Sequence, residues 1–192
     1  MRVLMATKLP IIIGLVGPKG SGKGTLAKRL KSRYKARIVT FSDVLNDVLE
    51  VLQIERTRVN QIYLSIALRE QFGYEVLAQA LKARIQKMKG NAPIIIDGIR
   101  FTQDFKPWKD LPNFTLISLE ADIKERYRRI KTRGRTAEEK SLSWVKFQKE
   151  ESMPTEISFQ KLSRQAKFHI NTNSPLKETF KQLDDITIKL GL

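Results

Sequence analysis

The 192-residue chain contains no cysteine and a single histidine. The first absence excludes disulfides and thiolate metal sites, and the two together argue against structural zinc. No apolar run approaches the length of a membrane span. Residues 1–10 carry Arg2 and Lys8 around a few apolar residues. No small-residue cleavage site follows them, so no signal peptide is expected and the cytoplasm is the expected location. There is no internal repeat, no zinc finger, no low-complexity basic tail and no run of aromatics interleaved with basic residues.

Acidic residues are scarce. Asp and Glu number 20 against 36 Lys and Arg, for a net charge of +16. Such an excess could serve a nucleic acid, whose phosphates take up Lys and Arg without regard to sequence. It could equally reflect a site for two phosphorylated substrates plus a solvated lysine face, and this second reading is preferred. Hydrophobic residues make up 41% and charged residues 29%, values that fit one globular α/β domain over residues 1–192.

What the chain does have is a concentration of glycine after an apolar run. Ile11, Ile12, Ile13 and Val16 read as a buried strand that breaks at Gly17, and Leu26 to Leu30 has the apolar spacing of a helix. Between them stands Gly17-x-x-x-x-Gly22-Lys23. In a strand–loop–helix context this is a phosphate-binding loop, formed here by Gly17, Pro18, Lys19, Gly20, Ser21, Gly22, Lys23, Gly24 and Thr25. Its glycines let backbone N–H groups turn inward, the helix N-terminus adds partial positive charge, and Lys23 reaches the terminal phosphates. The position after the lysine, where a metal-binding hydroxyl usually stands, is Gly24, and the hydroxyl comes one residue later at Thr25. Mg²⁺ is then expected to be held mostly by nucleotide phosphates and water.

Further along, residues 36–41 read as a second strand, and Ser42-Asp43 as the cap of a helix whose stripe is Val44, Leu45, Val48, Leu49 and Leu52. Asp43 has two readings: a helix cap, or a carboxylate that orients or deprotonates an acceptor at the end of a strand beside the loop. Residues 57–72 and 74–89 read as two helices with no strand between them, an insertion spanning about 53–90. Val59, Ile62, Tyr63, Ile66 and Leu68 are the apolar positions of the first. Arg69, near the hinge, is either an acceptor-phosphate ligand or half of a surface ion pair. Pro93 to Asp97 is an apolar strand ending in an acid, placed to hold water on Mg²⁺, and Gly98-Ile99-Arg100 aims a guanidinium into the same crevice.

Residues 114–119 form the next strand. A basic helix over 122–131 and the turn at Thr132-Arg133-Gly134-Arg135-Thr136 follow, and then a helix from Glu138 to Glu151. The segment 126–140 reads as a lid whose arginines close over a triphosphate. A short strand over 166–170, a turn at 171–175 and an amphipathic helix over 176–190 complete the chain. His169, Trp108 and Trp144 are read as structural.

Taken in order, the phosphate loop, Phe41-Ser42-Asp43-Val44-Leu45, Leu68 to Gly73, Asp97-Gly98-Ile99-Arg100 and Glu125 to Arg135 resemble P-loop nucleotide kinases. The likeness is to the dephospho-CoA kinase and adenylate kinase group, nearest to archaeal dephospho-CoA-kinase-like proteins. The resemblance spans Ile11 to the final helix, and Asp97 to Arg100 is similar to the Asp-Gly-Phe-Pro-Arg string of adenylate kinases, one residue shorter. It implies a three-layer α/β/α fold with a parallel sheet, and ATP and Mg²⁺ as cofactors. It further implies catalytic roles for Lys23, Asp43, Arg126, Arg129 and Arg133, acceptor contacts from Asp43, Arg69, Asp97 and Arg100, and water-mediated metal contacts from Thr25 and Asp97. Asn171 or Asn173 would fall near the adenine. The expected activity is transfer of the γ-phosphoryl group of ATP to a small phosphorylated acceptor, in first place a nucleoside or deoxynucleoside monophosphate. Phosphorylation of a ribose hydroxyl, as in dephospho-CoA kinase, and a nucleic-acid-associated ATPase or RNA kinase remain alternatives.

Overall fold

A computed structural model describes residues 9–151 and 154–192, so the segment with Arg2 and Lys8 lies outside the described residues. In chain order the elements are β1 (Ile12–Val16), α1 (Lys23–Tyr34), β2 (Arg37–Thr40), α2 (Phe41–Val51), α3 (Arg58–Phe72), α4 (Val76–Gln86) and β3 (Ile94–Asp97). After these come α5 (Thr102–Phe105), β4 (Phe114–Glu120), α6 (Ile123–Arg133), α7 (Ala137–Ser141), α8 (Trp144–Glu151), α9 (Pro154–Ser163), β5 (Phe168–Asn171) and α10 (Leu176–Lys189). The strands form one parallel sheet in the order β2-β3-β1-β4-β5. Because β3 and β4 flank β1 on opposite sides, the chain reverses direction across the sheet at β1. A crevice opens there beyond the strands' C-terminal ends, directly at the Gly-rich loop.

Period-2 alternation along the strands divides the interior into two layers. Ile12, Val16, Val39, Ile94, Ile96 and Leu116 point to one side, where Leu45, Leu77, Leu81, Trp108 and Leu162 cover them. Ile13, Leu15, Ile95, Ile117, Leu119 and Ile170 point to the other, under Leu26, Leu30, Leu183 and Ile186 of α1 and α10. This is the three-layer α/β/α architecture expected from the sequence. Every residue of β1 is buried, as a central parallel strand requires. A third, smaller cluster of Ile130, Leu142 and Phe147, joined by Tyr127 and Trp144, holds α6 and α8 together.

Three local expectations change. The N-cap of α2 is Thr40, not Ser42 or Asp43. Asp43 is the third helical residue, and Thr40 and Asp43 form a reciprocal capping box. The helix expected from Glu138 to Glu151 is two helices, interrupted at Leu142-Ser143, where Leu142 turns out of helical geometry to enter the third cluster. The sequence reading also passed over α9. The insertion forms as expected, but α3 has no fully buried residue. Its inner face sets Leu64 and Leu68 against the core, while Val59, Ile62, Tyr63 and Ile66 face solvent.

Trp108 is fully buried, and its indole Nε1 donates to Asp104 O at 2.9 Å. Trp108→Ala is expected to cost about 3–5 kcal/mol through the cavity it leaves. A lowered urea midpoint with unchanged slope would register that loss.

Candidate nucleotide-binding site

The Gly-rich loop leaves β1 and folds tightly upon itself. A Cβ at Gly17 would stand 2.5 Å from Ser21 Oγ and 2.8 Å from Leu119 O. Gly20 has φ +84°, and a Cβ there would meet Arg126 O at 2.8 Å, so both the backbone conformation and the space demand glycine. Gly24 is different, since nothing lies within 4 Å of a Cβ built on it. The residue after the lysine therefore faces open space at the first turn of α1, with exposed Thr25 beside it.

Lys23 Nζ donates to Gly17 O and to Pro18 O, the latter at 3.0 Å, so the ammonium lies along the inner rim of the loop. Ser21 Oγ is buried without a hydrogen-bond partner. Inward-curled backbone, a helix N-terminus, a lysine on the rim and a hydroxyl in reserve together fit a polyphosphate. For the accompanying Mg²⁺, no group of three or more His, Cys, Asp or Glu that could enclose a cation occurs among the described residues. Thr25 and Asp97, with phosphate oxygens and water, are the groups that fit it.

Beside the loop opens a cavity of about 580 Å³, lined by Gly22, Thr25, Arg128, Arg129, Thr172 and Pro175 among others. Asn173 lines it too, and its Oδ1 accepts from Asp122 N at 2.8 Å. Asn171 instead pairs with Gln182 through its backbone. Thr172 joins cavity and loop: its hydroxyl lies 3.1 Å from Ser21 O and 3.1 Å from Arg129 Nη1. Glu125 underlies the two cavity arginines, bonded to Arg128 Nε and Arg129 Nε, each at 2.8 Å. The Arg128 hydrogen bond, with that of Arg129, holds the Glu125 carboxyl at about 2, below its ordinary 4.5.

The arginines assigned to catalysis occupy different surroundings. Arg129 reaches the cavity. Arg126 is buried beneath the loop, donating to Ala121 O, Lys19 O and the carboxylate of Glu151. Arg133 ends α6, paired with Glu139, whose carboxyl that pairing lowers and which also accepts from Arg135 N.

Asp97 lies in register with Leu15 and Thr40, half-buried at the C-terminal edge of the sheet. Asp43 stands one helical turn beyond Thr40. Its Oδ2 accepts from Thr40 N at 2.6 Å, leaving Oδ1 outside the cap. The helix-cap reading of this residue is the one the geometry shows. Arg100 is exposed and close by in sequence. Arg69 is neither a surface pair nor open to a ligand: it donates to Tyr74 O at 2.6 Å and to Asp104 Oδ1 at 2.8 Å. Asp104 is almost fully buried and also accepts from Arg100 N and Phe101 N. The pair ties the helical insertion to the turn after β3.

The model of a family described as an AAA domain matches residues 13–154. The chain belongs to this family of P-loop NTPases. Among curated proteins it is 28% identical to a UPF0200 protein of Methanocaldococcus jannaschii over 177 residues, 92% of this chain and 88% of the relative. With a UPF0200 protein of Methanoculleus marisnigri it shares 32% identity over 127 residues, 65% of this chain and 68% of that one. The relatives are archaeal, as the resemblance implied. Shikimate kinase from Bacteroides thetaiotaomicron superposes with a TM-score of 0.62 over 95% of this chain and 99% of that chain, at 13% identity. At that identity the likeness shows the fold alone, and it is the fold of P-loop kinases.

Removing the Arg69 guanidinium as Arg69→Met would leave Asp104 charged and buried, with a loss of about 3–5 kcal/mol expected in denaturant unfolding. The double variant Arg69→Met/Asp104→Leu should recover most of it. Because the Glu125 carboxyl is depressed in the folded state, its contribution is complete above pH 4.5 and is lost as pH falls toward about 2. Glu125→Gln should therefore flatten the acid limb of the stability–pH curve in that window, measured by thermal unfolding.

Proposed function

We propose that this protein is an ATP-dependent kinase that transfers the γ-phosphoryl group to a small phosphorylated acceptor, a nucleoside or deoxynucleoside monophosphate. The observation that carries the reading is the continuity of the phosphate loop with the arginine-lined cavity. Gly22 and Thr25 belong to both, so one ligand with a polyphosphate and a flat base can occupy them together. Arg129 and Arg128 would flank the base, Pro175 would supply an apolar surface, and the 17–25 backbone would hold the phosphates.

Thr25 and Asp97, through water, would hold Mg²⁺, which would supply charge neutralisation on the polyphosphate. Lys23 moves from its carbonyl partners onto the terminal phosphate oxygens, where its charge offsets what accumulates during transfer. Asp43, through the oxygen outside its cap, orients the acceptor, and Asp97 holds metal-bound water. Such catalysis is positioning and charge compensation, with little covalent chemistry for protein groups to do. Transfer to a ribose hydroxyl, as by a dephospho-CoA kinase, would use the same donor site. The P-loop family and the likeness to the shikimate kinase fold support the kinase reading without selecting the acceptor.

A coupled ADP-release screen over nucleoside monophosphates, dephospho-CoA and short RNA tests this. The expected result is ADP formation that requires a nucleoside monophosphate and falls roughly 100-fold or more in a folded Lys23→Ala variant. ADP release indifferent to every small acceptor, yet stimulated by RNA in a steeply salt-dependent way, would replace this reading with the polymer one.

A further inference from the structure

The outward face of α3 is apolar where an outward helix face is ordinarily charged. Val59, Ile62, Tyr63 and Ile66 recur at intervals of three and four and stand between 46% and 68% exposed. Isolated exposed apolar residues are unremarkable, but a contiguous stripe marks an interaction surface. The stripe is held rigidly. On the opposite face Leu64 and Leu68 pack on the core, and Gln61 Nε2 donates to Asn46 Oδ1 of α2 at 2.7 Å. Val51 and Ile54, on the chain leading into α3, are exposed as well.

We propose that a second copy of this chain covers the stripe, the two α3 helices packing antiparallel about a two-fold axis. Three observations favour this occupant. First, the ten residues Val59 to Leu68 carry no charge in a chain of net charge +16, so two copies can meet here without opposing like charges. Second, the charges bounding the stripe are self-complementary. Arg58 at its N-terminal end and Glu70 at its C-terminal end are exposed, with no side-chain partner among the described residues. An antiparallel pairing brings each Arg58 beside the other copy's Glu70 and sets the helix dipoles in opposition. Third, the 59/62/63/66 spacing is the one at which side chains of two helices interlock, and Tyr63 is a residue type enriched in interface centres. A polyanion would find no cation within the stripe to bind.

Sedimentation equilibrium of the full chain at micromolar concentrations tests the proposal. The expected mass is that of two chains, and Ile62→Glu should yield the single-chain mass with an unchanged circular dichroism spectrum. Arg58→Glu and Glu70→Arg should each raise the dissociation constant several-fold, and the double variant should return it toward the original value. A single-chain mass for the unaltered protein at high micromolar concentration would overturn the proposal. So would a dimer indifferent to Ile62→Glu. A monomer in which Ile62→Glu raises the KM for the acceptor would likewise overturn it, giving the stripe to the acceptor cleft. The sedimentation outcomes do not depend on whether the kinase reading holds.

Discussion

A loop closed on itself only by short turns, such as Ser21 N donating to Pro18 O at 3.2 Å, needs an outside hold to keep its shape. Here the hold is the buried guanidinium of Arg126. It takes up Ala121 O at the end of β4, Lys19 O in the loop and the carboxylate of Glu151 at the end of α8. Gly20 presses against its backbone from above. A charge this deeply placed is tolerable only when fully paired, and the pairing joins the loop, the end of β4 and α8 into one unit. From the other side Thr172 ties the loop to the turn after β5. Loop and adjoining cavity are thus positioned by the same few contacts.

The same economy runs through the charged residues. Most arginines that could have served as free anion ligands are matched to carboxylates: Arg69 to Asp104, Arg29 and Arg33 to Asp184, Arg133 to Glu139, and Arg128 and Arg129 to Glu125. The scarce acids are therefore used in building and orienting arginines. Arg129 is the informative exception in kind. Its carboxylate partner lowers the cost of aiming a guanidinium into the cavity and leaves a cationic face toward what enters.

Much of this was legible in the sequence, for identifiable reasons. The loop, the central strands and the insertion announce themselves through local pattern: a β-branched run before glycines, an apolar strand ending in Asp97, and two helical periods without a strand between. The P-loop NTPase family and the three-layer fold follow from those signals. The Thr40–Asp43 capping box and the Glu125 pairs with Arg128 and Arg129 were also readable, since spacings of three and four carry them. What could not be read were contacts set by the fold alone. Nothing local to Arg126 announces Glu151, and nothing local to Arg69 announces Asp104, 35 positions away. The apolar positions of α3 show the limit of periodicity itself, which reports an amphipathic stripe and not which face the fold covers.

The central claim is that the loop and the adjoining cavity form a phosphoryl-donor site. Following ATP labelled at its γ-phosphorus through a single turnover tests it most directly. The account predicts that the label passes to a nucleoside monophosphate, with little released as inorganic phosphate, and that free ATP persists when the acceptor is omitted. Label appearing chiefly as inorganic phosphate, at a rate the acceptor does not change, would contradict it and make the site that of a hydrolase.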